Sequence, residues 1–332
     1  MKHKILTALL LLGLTTLLIG CNNAEQSCEG TIVSCSSLEQ DKVLLLYNNK
    51  VYPSPNEAPI NEDTICVYDL NSGHEEIIAK ENNIRANAND QIIILPSQIL
   101  YNSETTLWQF TENGQKWQGS NQPSNNLRVL SPSGEKFAER QDENIVIINR
   151  QSGEILTQTS SINQASVMQW SYDEQHLALI ADRNSSIIIW DLKTNDLQTL
   201  RLEQELPNIE NWVDIINLSY TADSQYLLAT ILCENGMALL VINTDSAAAE
   251  DLLTNAGDIS VLDTEGSKIL YSIDENKANH YLNIYDCQSN NVRTIDQGNF
   301  YYPAACFTDE QHIIVNKFNL EAQENNLTVL NT

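Results

Sequence analysis

The sequence contains few basic residues for its length. Its 332 residues include 18 lysines and arginines against 44 aspartates and glutamates, which gives a formal net charge of −26 at pH 7. The acidic residues are scattered along the chain, and such a chain repels nucleic acid and anionic lipid head groups. DNA and RNA binding are therefore excluded. We interpret the acidity as solvated strand edges and turns rather than as a cation-binding site.

Motifs that carry catalysis are also missing. The sequence has no Gly-x-Ser-x-Gly elbow, no His-Glu-x-x-His, no phosphate-binding glycine loop and no dinucleotide fingerprint. It has no Cys-x-x-Cys pair for a metal, and the segment closest to a Ca²⁺ loop, residues 263–266, falls at an expected turn. We predict no enzyme activity, no cofactor and no metal.

The histidines give no catalytic pattern. His176 and His312 follow the same Asp-Glu-Gln sequence, and a shared repeat position favours a structural role at the start of a strand. His74 and His280 lie in polar segments and are expected to be exposed.

Only one long apolar run is present, at the N-terminus. Lys2 and Lys4 precede residues 5–19, which carry no charge. This run is typical of a signal-peptide core and is shorter than the roughly 20 residues of a membrane-spanning helix. It ends in Leu18-Ile19-Gly20-Cys21, which resembles a bacterial lipobox. The alternative is an uncleaved N-terminal anchor helix.

The resemblance to a lipobox implies a processed and lipidated protein. Residues 1–20 would be the signal peptide, and Cys21 would carry acyl chains such as palmitate, at the head of a tether over residues 21–30. Removing residues 1–20 changes the formal net charge to −28, because they contain two lysines and no acidic residue. Several acyl chains anchor a protein durably. By analogy with enteric bacteria, Asn22 favours the periplasmic face of the outer membrane.

Residues 166–200 contain four short strand-like runs. The sequence SVMQWSYDEQHLALIADRNSSIIIWDLKTNDLQTL alternates apolar and β-branched runs with polar turns. A unit of four strands in about 40 residues cannot bury both of its faces alone. It therefore needs similar units on either side.

Two turn landmarks repeat along the chain. One is a short turn of Ser, Thr, Asp and Gly between the first and second strands, at residues 131–134, 171–174, 221–224, 264–267 and 308–311. The other is a polar residue that ends the third strand, at Asp69, Thr111, Asn149, Asp191, Asn243, Asp286 and Asn331. These residue types close tight turns through side-chain hydrogen bonds and tolerance of unusual φ. Successive spacings of 42, 38, 42, 52, 43 and 45 residues indicate a repeat.

This repeat resembles those of the WD-repeat and TolB-type β-propeller families. Trp170-Ser171-Tyr172-Asp173 is similar to the turn of TolB-type repeats, and Ile189-Trp190-Asp191-Leu192 to the end of the third strand of a WD repeat. The resemblance implies an all-β fold, with one propeller domain over residues 31–332 and four-stranded blades. Seven blades are expected, with six or eight as alternatives because the first two repeats and the last are degenerate.

Six cysteines besides Cys21 allow 15 pairings, and an exported protein meets oxidising conditions. A disulfide between Cys28 and Cys35 would close the shortest loop. Cys287 and Cys306 flank a blade boundary and are a second candidate pair. Cys66 and Cys233 lie in strand-like runs and fit buried thiols as well. The candidate disulfide residues are Cys28, Cys35, Cys287 and Cys306.

The insertions in the repeat fall on one face of the expected ring. This is the face of the connections between second and third strands and between blades. Aromatic residues in these segments are either caps over the blades or anchors for a partner. The candidate partner-binding residues are Tyr52, Trp117, Trp212, Phe300, Tyr301 and Tyr302.

Closure of the ring requires a further strand. Thr332 follows directly after the expected third strand of the last repeat, and an unpaired edge is a liability. We predict that residues 30–34 or earlier pair antiparallel with residues 326–330 as the missing outer strand.

The sequence leaves three functions open. The first is a non-enzymatic envelope lipoprotein whose propeller binds another envelope protein. The second is a sensor or enzyme that binds a small molecule or glycan in the central channel. The third is an inhibitor or immunity lipoprotein. Polar residues converging in the channel would favour the second.

Overall fold

The computed structural model describes residues 30–332, except 40, 52–59, 83–90, 96–97, 103–105, 114–115, 124–127, 160–161, 163–164, 183, 203–211, 255–256, 277–278, 310 and 320. The predicted signal peptide, Cys21, the rest of the tether up to residue 29, and Tyr52 lie outside these residues. Within the described part, 27 strands form seven antiparallel sheets, each from consecutive strands.

The first three sheets cover the N-terminal part of the chain. The first contains β1 (Thr31–Glu39), β2 (Lys42–Val51), β3 (Ile60–Asp69) and β4 (Glu75–Asn82). The second contains β5 (Gln91–Leu95), β6 (Gln98–Asn102), β7 (Thr106–Asn113) and β8 (Lys116–Pro123). The third contains β9 (Arg128–Leu130), β10 (Lys136–Gln141), β11 (Asn144–Asn149) and β12 (Ile155–Gln158).

The remaining sheets continue in the same order. The fourth contains β13 (Met168–Trp170), β14 (His176–Ala181), β15 (Ser186–Asp191) and β16 (Leu197–Arg201). The fifth contains β17 (Trp212–Tyr220), β18 (Tyr226–Cys233), β19 (Gly236–Asn243) and β20 (Ala249–Thr254). The sixth contains β21 (Asp258–Glu265), β22 (Lys268–Asn276), β23 (Asn279–Asp286) and β24 (Asn291–Gly298). The seventh contains β25 (Tyr301–Asp309), β26 (His312–Phe318) and β27 (Leu327–Asn331).

The sheets are the blades of a closed ring. The first strands of neighbouring sheets contact each other, as in β9 with β13, β13 with β17 and β21 with β25. The last sheet returns to the first, because β25 contacts β1. The fold is therefore a seven-bladed β-propeller. The predictions of an all-β fold and of seven blades are confirmed.

Each joint between neighbouring blades contains one cluster of buried apolar side chains. In β14, Leu177 and Leu179 belong to the cluster shared with the third blade, and Ala178 and Ile180 to the cluster shared with the fifth. Successive side chains of a strand point to opposite faces, so a strand with a blade on each side must be apolar on both. This explains continuous apolar runs such as HLALIA.

The third strands end on side chains that cap the following turn. Asp191 Oδ1 accepts hydrogen bonds from the amides of Lys193 and Thr194 at 2.7 and 3.0 Å. The same arrangement occurs at Asp69, Asn149 and Asp286. Such a side chain satisfies backbone donors that the turn leaves without a strand partner. The third-strand end predicted at Thr111 is displaced by two residues, because β7 ends at Asn113.

A different set of side-chain hydrogen bonds stabilises the turns between first and second strands. Ser171 Oγ donates to Asp173 Oδ1 at 2.6 Å and accepts from the His176 amide at 2.9 Å. The fifth blade repeats this arrangement with Thr221, Asp223 and Tyr226. These bonds fix the turns that form one face of the ring, which we call the turn face.

Hydrogen bonds also link the turns of neighbouring blades. The Asp173 amide donates to Ser224 Oγ at 3.0 Å, which joins the fourth blade to the fifth. The Asp223 amide donates to the Gly266 carbonyl at 3.2 Å, which joins the fifth to the sixth. The turn face is thus a connected hydrogen-bonded surface across these three blades.

An ion pair joins the third and fourth blades at the same face. Glu174 lies 2.7 Å from Lys136 Nζ and accepts a hydrogen bond from the Ser133 amide at 2.7 Å. Burial alone would raise the pKa of Glu174, but these partners outweigh it and lower that pKa to about 2. The pair is therefore charged at neutral pH.

Trp170 and Trp190 lie in the joint between the third and fourth blades. They are 1% and 0% exposed and share one cluster with Ile147. Trp170 Nε1 donates across the joint to the Val129 carbonyl at 3.2 Å, and Trp190 Nε1 donates to Asn195 Oδ1 at 2.9 Å. Both large rings are buried without leaving an indole donor unpaired.

Two asparagines close the joint between the seventh and first blades. Asn325 Oδ1 accepts from the Ile32 amide at 3.1 Å, and its Nδ2 donates to the Gly30 carbonyl at 2.7 Å. Asn316, which is fully buried, donates through Nδ2 to the Ile32 carbonyl at 3.3 Å and to Asn325 Oδ1 at 2.9 Å. Side-chain amides thus satisfy backbone groups at the start of β1.

The predicted outer strand from residues 30–34 is wrong. These residues begin the innermost strand of the first blade, where Thr31 pairs with Asn48 and Ser34 with Leu46. They cannot also pair at the outer edge of the seventh blade. In the described part of the chain, β27 pairs with β26, and the residues before 30 that the prediction also named lie outside it.

Neither predicted disulfide pair is formed in the structure. Cys35 is a free thiol, so it is not bonded to Cys28. Cys287 belongs to the cluster between the fifth and sixth blades and Cys306 to the cluster between the seventh and first, so different joints separate them. Cys66, for which a buried thiol seemed sufficient, is disulfide-bonded.

Several predicted insertions are largely strand. Residues 274–276 and 279–280 form the facing ends of β22 and β23, and only two residues separate β24 from β25. Trp117 lies within β8. Residues 274–280 are polar in sequence, but paired backbone groups at the end of a hairpin do not require apolar side chains. Composition alone therefore mistook hairpin ends for loops.

We predict that Trp190→Ala destabilises the protein by about 3–5 kcal/mol, because it loses buried apolar area and leaves a cavity between blades. Equilibrium denaturant unfolding measures the loss. Leu197→Ala is the matched control, since Leu197 pairs opposite Trp190 and is 40% exposed. Its cost should stay within about 0.5–1 kcal/mol. Equal losses in the two variants would contradict the assignment of Trp190 to the joint.

Candidate functional site

A cavity opens at the centre of the ring on the turn face. Its volume is about 500 Å³, and its lining comes from the first six blades. The apolar part of the wall includes Ile93, Ile94, Leu130 and Trp170. The polar part consists of Ser36, Ser37, Gln169, Tyr172, Asp263 and Thr264. A concave site with an apolar wall and a few convergent polar groups is typical of a binding site.

Asp263 reaches this cavity at an irregularity in β21. The register between β21 and β22 shifts between Val261 and Asp263, and such a bulge redirects the side chains next to it. Asp263 Oδ2 accepts a hydrogen bond from the Phe307 amide of the seventh blade at 2.8 Å. The carboxylate therefore lines the cavity and bridges two blades at the same time.

The charge of Asp263 is only partly compensated. Burial raises the pKa of this carboxyl to about 6, against the opposing effect of the amides of Phe307 and Thr264. Among the described residues, the lysine and arginine ion pairs involve other acids. A half-buried acid of this kind can accept an amine, a guanidinium or a hydroxyl group from a bound molecule.

Tyr172 stands beside Asp263 in the cavity wall. Its side chain is 50% exposed, and its exposed area lines the cavity. Desolvation raises the pKa of its hydroxyl, and the Asp263 carboxylate raises it further. The hydroxyl is therefore a protonated donor at neutral pH, and the ring offers a face for an apolar or cationic group.

The predicted partner-binding aromatics do not form one exposed surface. Tyr302 is 2% exposed and donates to Asp296 at 3.2 Å, so its inclusion is wrong. Tyr301 packs on His280, with ring centroids 4.2 Å apart. Trp212 packs against the cluster between the fourth and fifth blades. Burying a large ring removes much apolar area from water, and these residues act as caps.

Of the other three predicted aromatics, two are separated in the fold. Phe300 lies in the two-residue connection before β25 and is partly exposed. Trp117 belongs to β8, the fourth strand of the second blade. Tyr52 lies outside the described residues. The structure therefore does not bring the described residues of this set together.

His280 is a buried residue that the sequence predicted to be exposed. Its side chain is 1% exposed, and Nδ1 lies 2.6 Å from Asp274 Oδ1. The two residues pair across the hairpin of β22 and β23. Nε2 has no hydrogen-bond partner within the described residues. The Asp274 to His280 spacing would have indicated this pair only if the hairpin had been recognised.

Neither metal ligands nor a membrane span stand out in the part of the chain that the structure describes. No group of three His, Cys, Asp or Glu side chains there could hold a metal ion. In the same residues, no helix has the length and hydropathy needed to cross a membrane.

Comparison with known proteins supports the fold. No family model matches the sequence, and no curated protein matches it. The β-propeller domain of Cps50 (Swd1) from Myceliophteria thermophila is 12% identical, with a TM-score of 0.57 over 92% of this chain and 99% of that one. A chain in the Mitotic Checkpoint Complex is 11% identical, with a TM-score of 0.53 over 91% of this chain and 87% of that one. At these identities the likeness shows the fold alone, a WD-repeat-like β-propeller.

We predict that Asp263→Asn stabilises the protein at neutral pH. The folded state binds the Asp263 proton more tightly than the unfolded chain, in which the carboxyl titrates near 3.8. The stability from this protonation is fully present below about pH 4 and is lost as the pH rises through about 6. The variant, which keeps an acceptor for the Phe307 amide, should gain about 1–2 kcal/mol over the wild type above pH 7 and nothing at pH 4.

Denaturant unfolding at several pH values measures this difference. Asp258→Asn is the control, because Asp258 is exposed on the same strand. It should give no such pH-dependent gain. A gain of Asp263→Asn that is constant from pH 4 to 8 would contradict the account.

Proposed function

We propose that this protein is a lipid-anchored, non-enzymatic scaffold of the bacterial cell envelope whose propeller binds another protein. Leu18-Ile19-Gly20-Cys21 and the apolar run before it support the anchor. The seven-bladed ring supports the binding role, because propellers commonly serve as platforms for protein interaction. One similar structure belongs to a protein complex. Asn22 supports the periplasmic face of the outer membrane as the location.

The channel-mouth cavity is the observation that carries the binding proposal. It lies on the turn face, where hydrogen bonds between neighbouring turns hold the rim. Tyr172 offers an aromatic face, and Asp263 offers a carboxylate whose negative charge is only partly compensated. Together with the formal net charge of −28 that the processed chain would carry, they favour a partner that inserts a basic segment into the cavity.

A second function rests on the same cavity. Its volume of about 500 Å³ suits a small molecule or glycan, and polar groups from several blades converge on it. A neutral, hydroxyl-rich ligand could donate to Asp263 and accept from Tyr172. The propeller would then be a sensor that binds this ligand in its channel.

Cross-linking in intact membranes tests the scaffold. Tyr172→Ala should reduce the cross-linked partner by about tenfold or more, because it removes an exposed aromatic anchor from the cavity. Leu197→Ala is the control, as Leu197 is an exposed apolar residue on the outer strand of the same blade, and it should retain the partner. Equal recovery of the same partner with both variants would contradict docking at the channel mouth. A small molecule that co-purifies with the wild type and is lost from Asp263→Asn would favour the sensor.

The anchor is tested in the same membranes. Cys21→Ser should abolish palmitate labelling and leave the protein unprocessed or released. Labelling that persists in this variant would contradict lipidation at Cys21.

A further inference from the structure

Two free thiols face one joint, the one that closes the ring. Cys35 lies on β1 and Cys306 on β25, the innermost strands of the first and last blades, which contact each other. Their side chains are 6% and 0% exposed and belong to one buried cluster. The closing joint thus brings together cysteines that are far apart in sequence.

The strand geometry explains why both side chains point into this joint. The register of β1 with β2 shifts between Ile32 and Ser34. This irregularity puts Ile32 and Cys35, which are three residues apart, on the same face. On β25, Ala304 and Cys306 are two residues apart and share a face through the ordinary alternation. All four side chains lie in the same cluster.

The side chains of Cys35 and Cys306 share one buried cluster. The neighbouring Cys35 raises the pKa of Cys306, and burial raises it further. Thiol–disulfide exchange requires the thiolate. Burial of both side chains and the raised pKa of Cys306 slow oxidation in the folded protein. Oxidation is therefore favoured while the ring is closing or during transient opening.

We propose that Cys35 and Cys306 are a modification site, at which a disulfide bond covalently joins the first blade to the last. The proposal rests on the proposed export to an oxidising compartment and not on the proposed binding role. The oxidant is a disulfide, such as oxidised glutathione or an oxidoreductase disulfide. One cysteine thiolate attacks a sulfur of the oxidant, forming a mixed disulfide and releasing one thiol. The second cysteine attacks the mixed disulfide and releases the other thiol, so two protons and two electrons leave the pair and reduce the oxidant.

The position of this bond would make it strongly stabilising for the folded ring. It would close a loop from β1 to β25 that spans almost the whole propeller, and longer loops restrict the unfolded chain more strongly. The bond would also cross the joint of the seventh blade, which has three strands in the described part of the chain. The outer of its two hydrogen-bonded ladders is the shorter one. Reinforcement here would prevent the ring from opening at its ends.

Peptide mapping of the full chain tests the bond. The protein is refolded in a mixture of reduced and oxidised glutathione, alkylated under denaturing conditions, and digested with trypsin and a glutamate-specific protease. Cleavage after Glu29 separates Cys28 from Cys35. We expect a cross-linked peptide that contains Cys35 and Cys306 and is lighter than its two reduced parts by two hydrogens. The disulfide of Cys66 serves as the internal positive control.

Variants and thermal unfolding complete the test. Reduction should lower the Tm of the wild type by about 5–10 °C more than that of Cys35→Ala, which cannot form the bond. Cys233→Ala is the control, since this half-buried thiol lies in the fifth blade, and it should respond like the wild type. Alkylated Cys35 and Cys306 in the oxidised sample, or a Cys28–Cys35 peptide, would overturn the proposal.

Discussion

The joint between the first and last blades is the contact on which the rest of this propeller depends. Each blade is apolar on both faces, because apolar clusters fill the joints on both sides of it. An open ring would expose one of these clusters to water and leave backbone groups of β1 unsatisfied. Asn316 and Asn325 satisfy the start of β1, while Cys35, Cys306 and their apolar neighbours fill the joint. Closure therefore combines buried apolar area with side-chain hydrogen bonds.

The candidate site follows from the same joints. Asp263 lines the cavity while it accepts a hydrogen bond from the Phe307 amide, and Phe307 lies on β25, which contacts β1. The geometry of the cavity wall is thus coupled to the closing joint through two strands. A ring that opened between its ends would displace β25, and with it the partner that fixes the Asp263 carboxylate.

The blades were predictable from the sequence because their turns need particular side chains. Asp191 and Ser171 close hydrogen bonds that few other residues can make, so the turn landmarks identified the strand order and the number of blades. Strand alternation and the need to bury both faces account for the position of Trp170 and Trp190 between blades. These features depend on local chemistry that every repeat must satisfy.

The cavity and the closing joint were not predictable in this way, because they depend on contacts between distant residues. Nothing near Asp263 in the sequence indicates the Phe307 amide, which lies 44 residues away. The Asn316 and Asn325 bonds to the start of β1 cross almost the whole chain. The predictions for the face opposite the turn face were wrong for another reason. Polar composition indicated loops where hairpins continue. Tyr302 and His280 were expected to be exposed to solvent, although both are buried.

Native-state hydrogen exchange tests the closing joint most directly. If the joint holds the ring together, the Ile32 amide should exchange only through global unfolding, with the same free energy as amides of β14 on the far side of the ring. Asn325→Ala should then lower the free energy of exchange at both places together. Independent behaviour would contradict the account: Ile32 would exchange at much lower free energy than β14, and the variant would affect Ile32 alone, as expected for an open array of repeats.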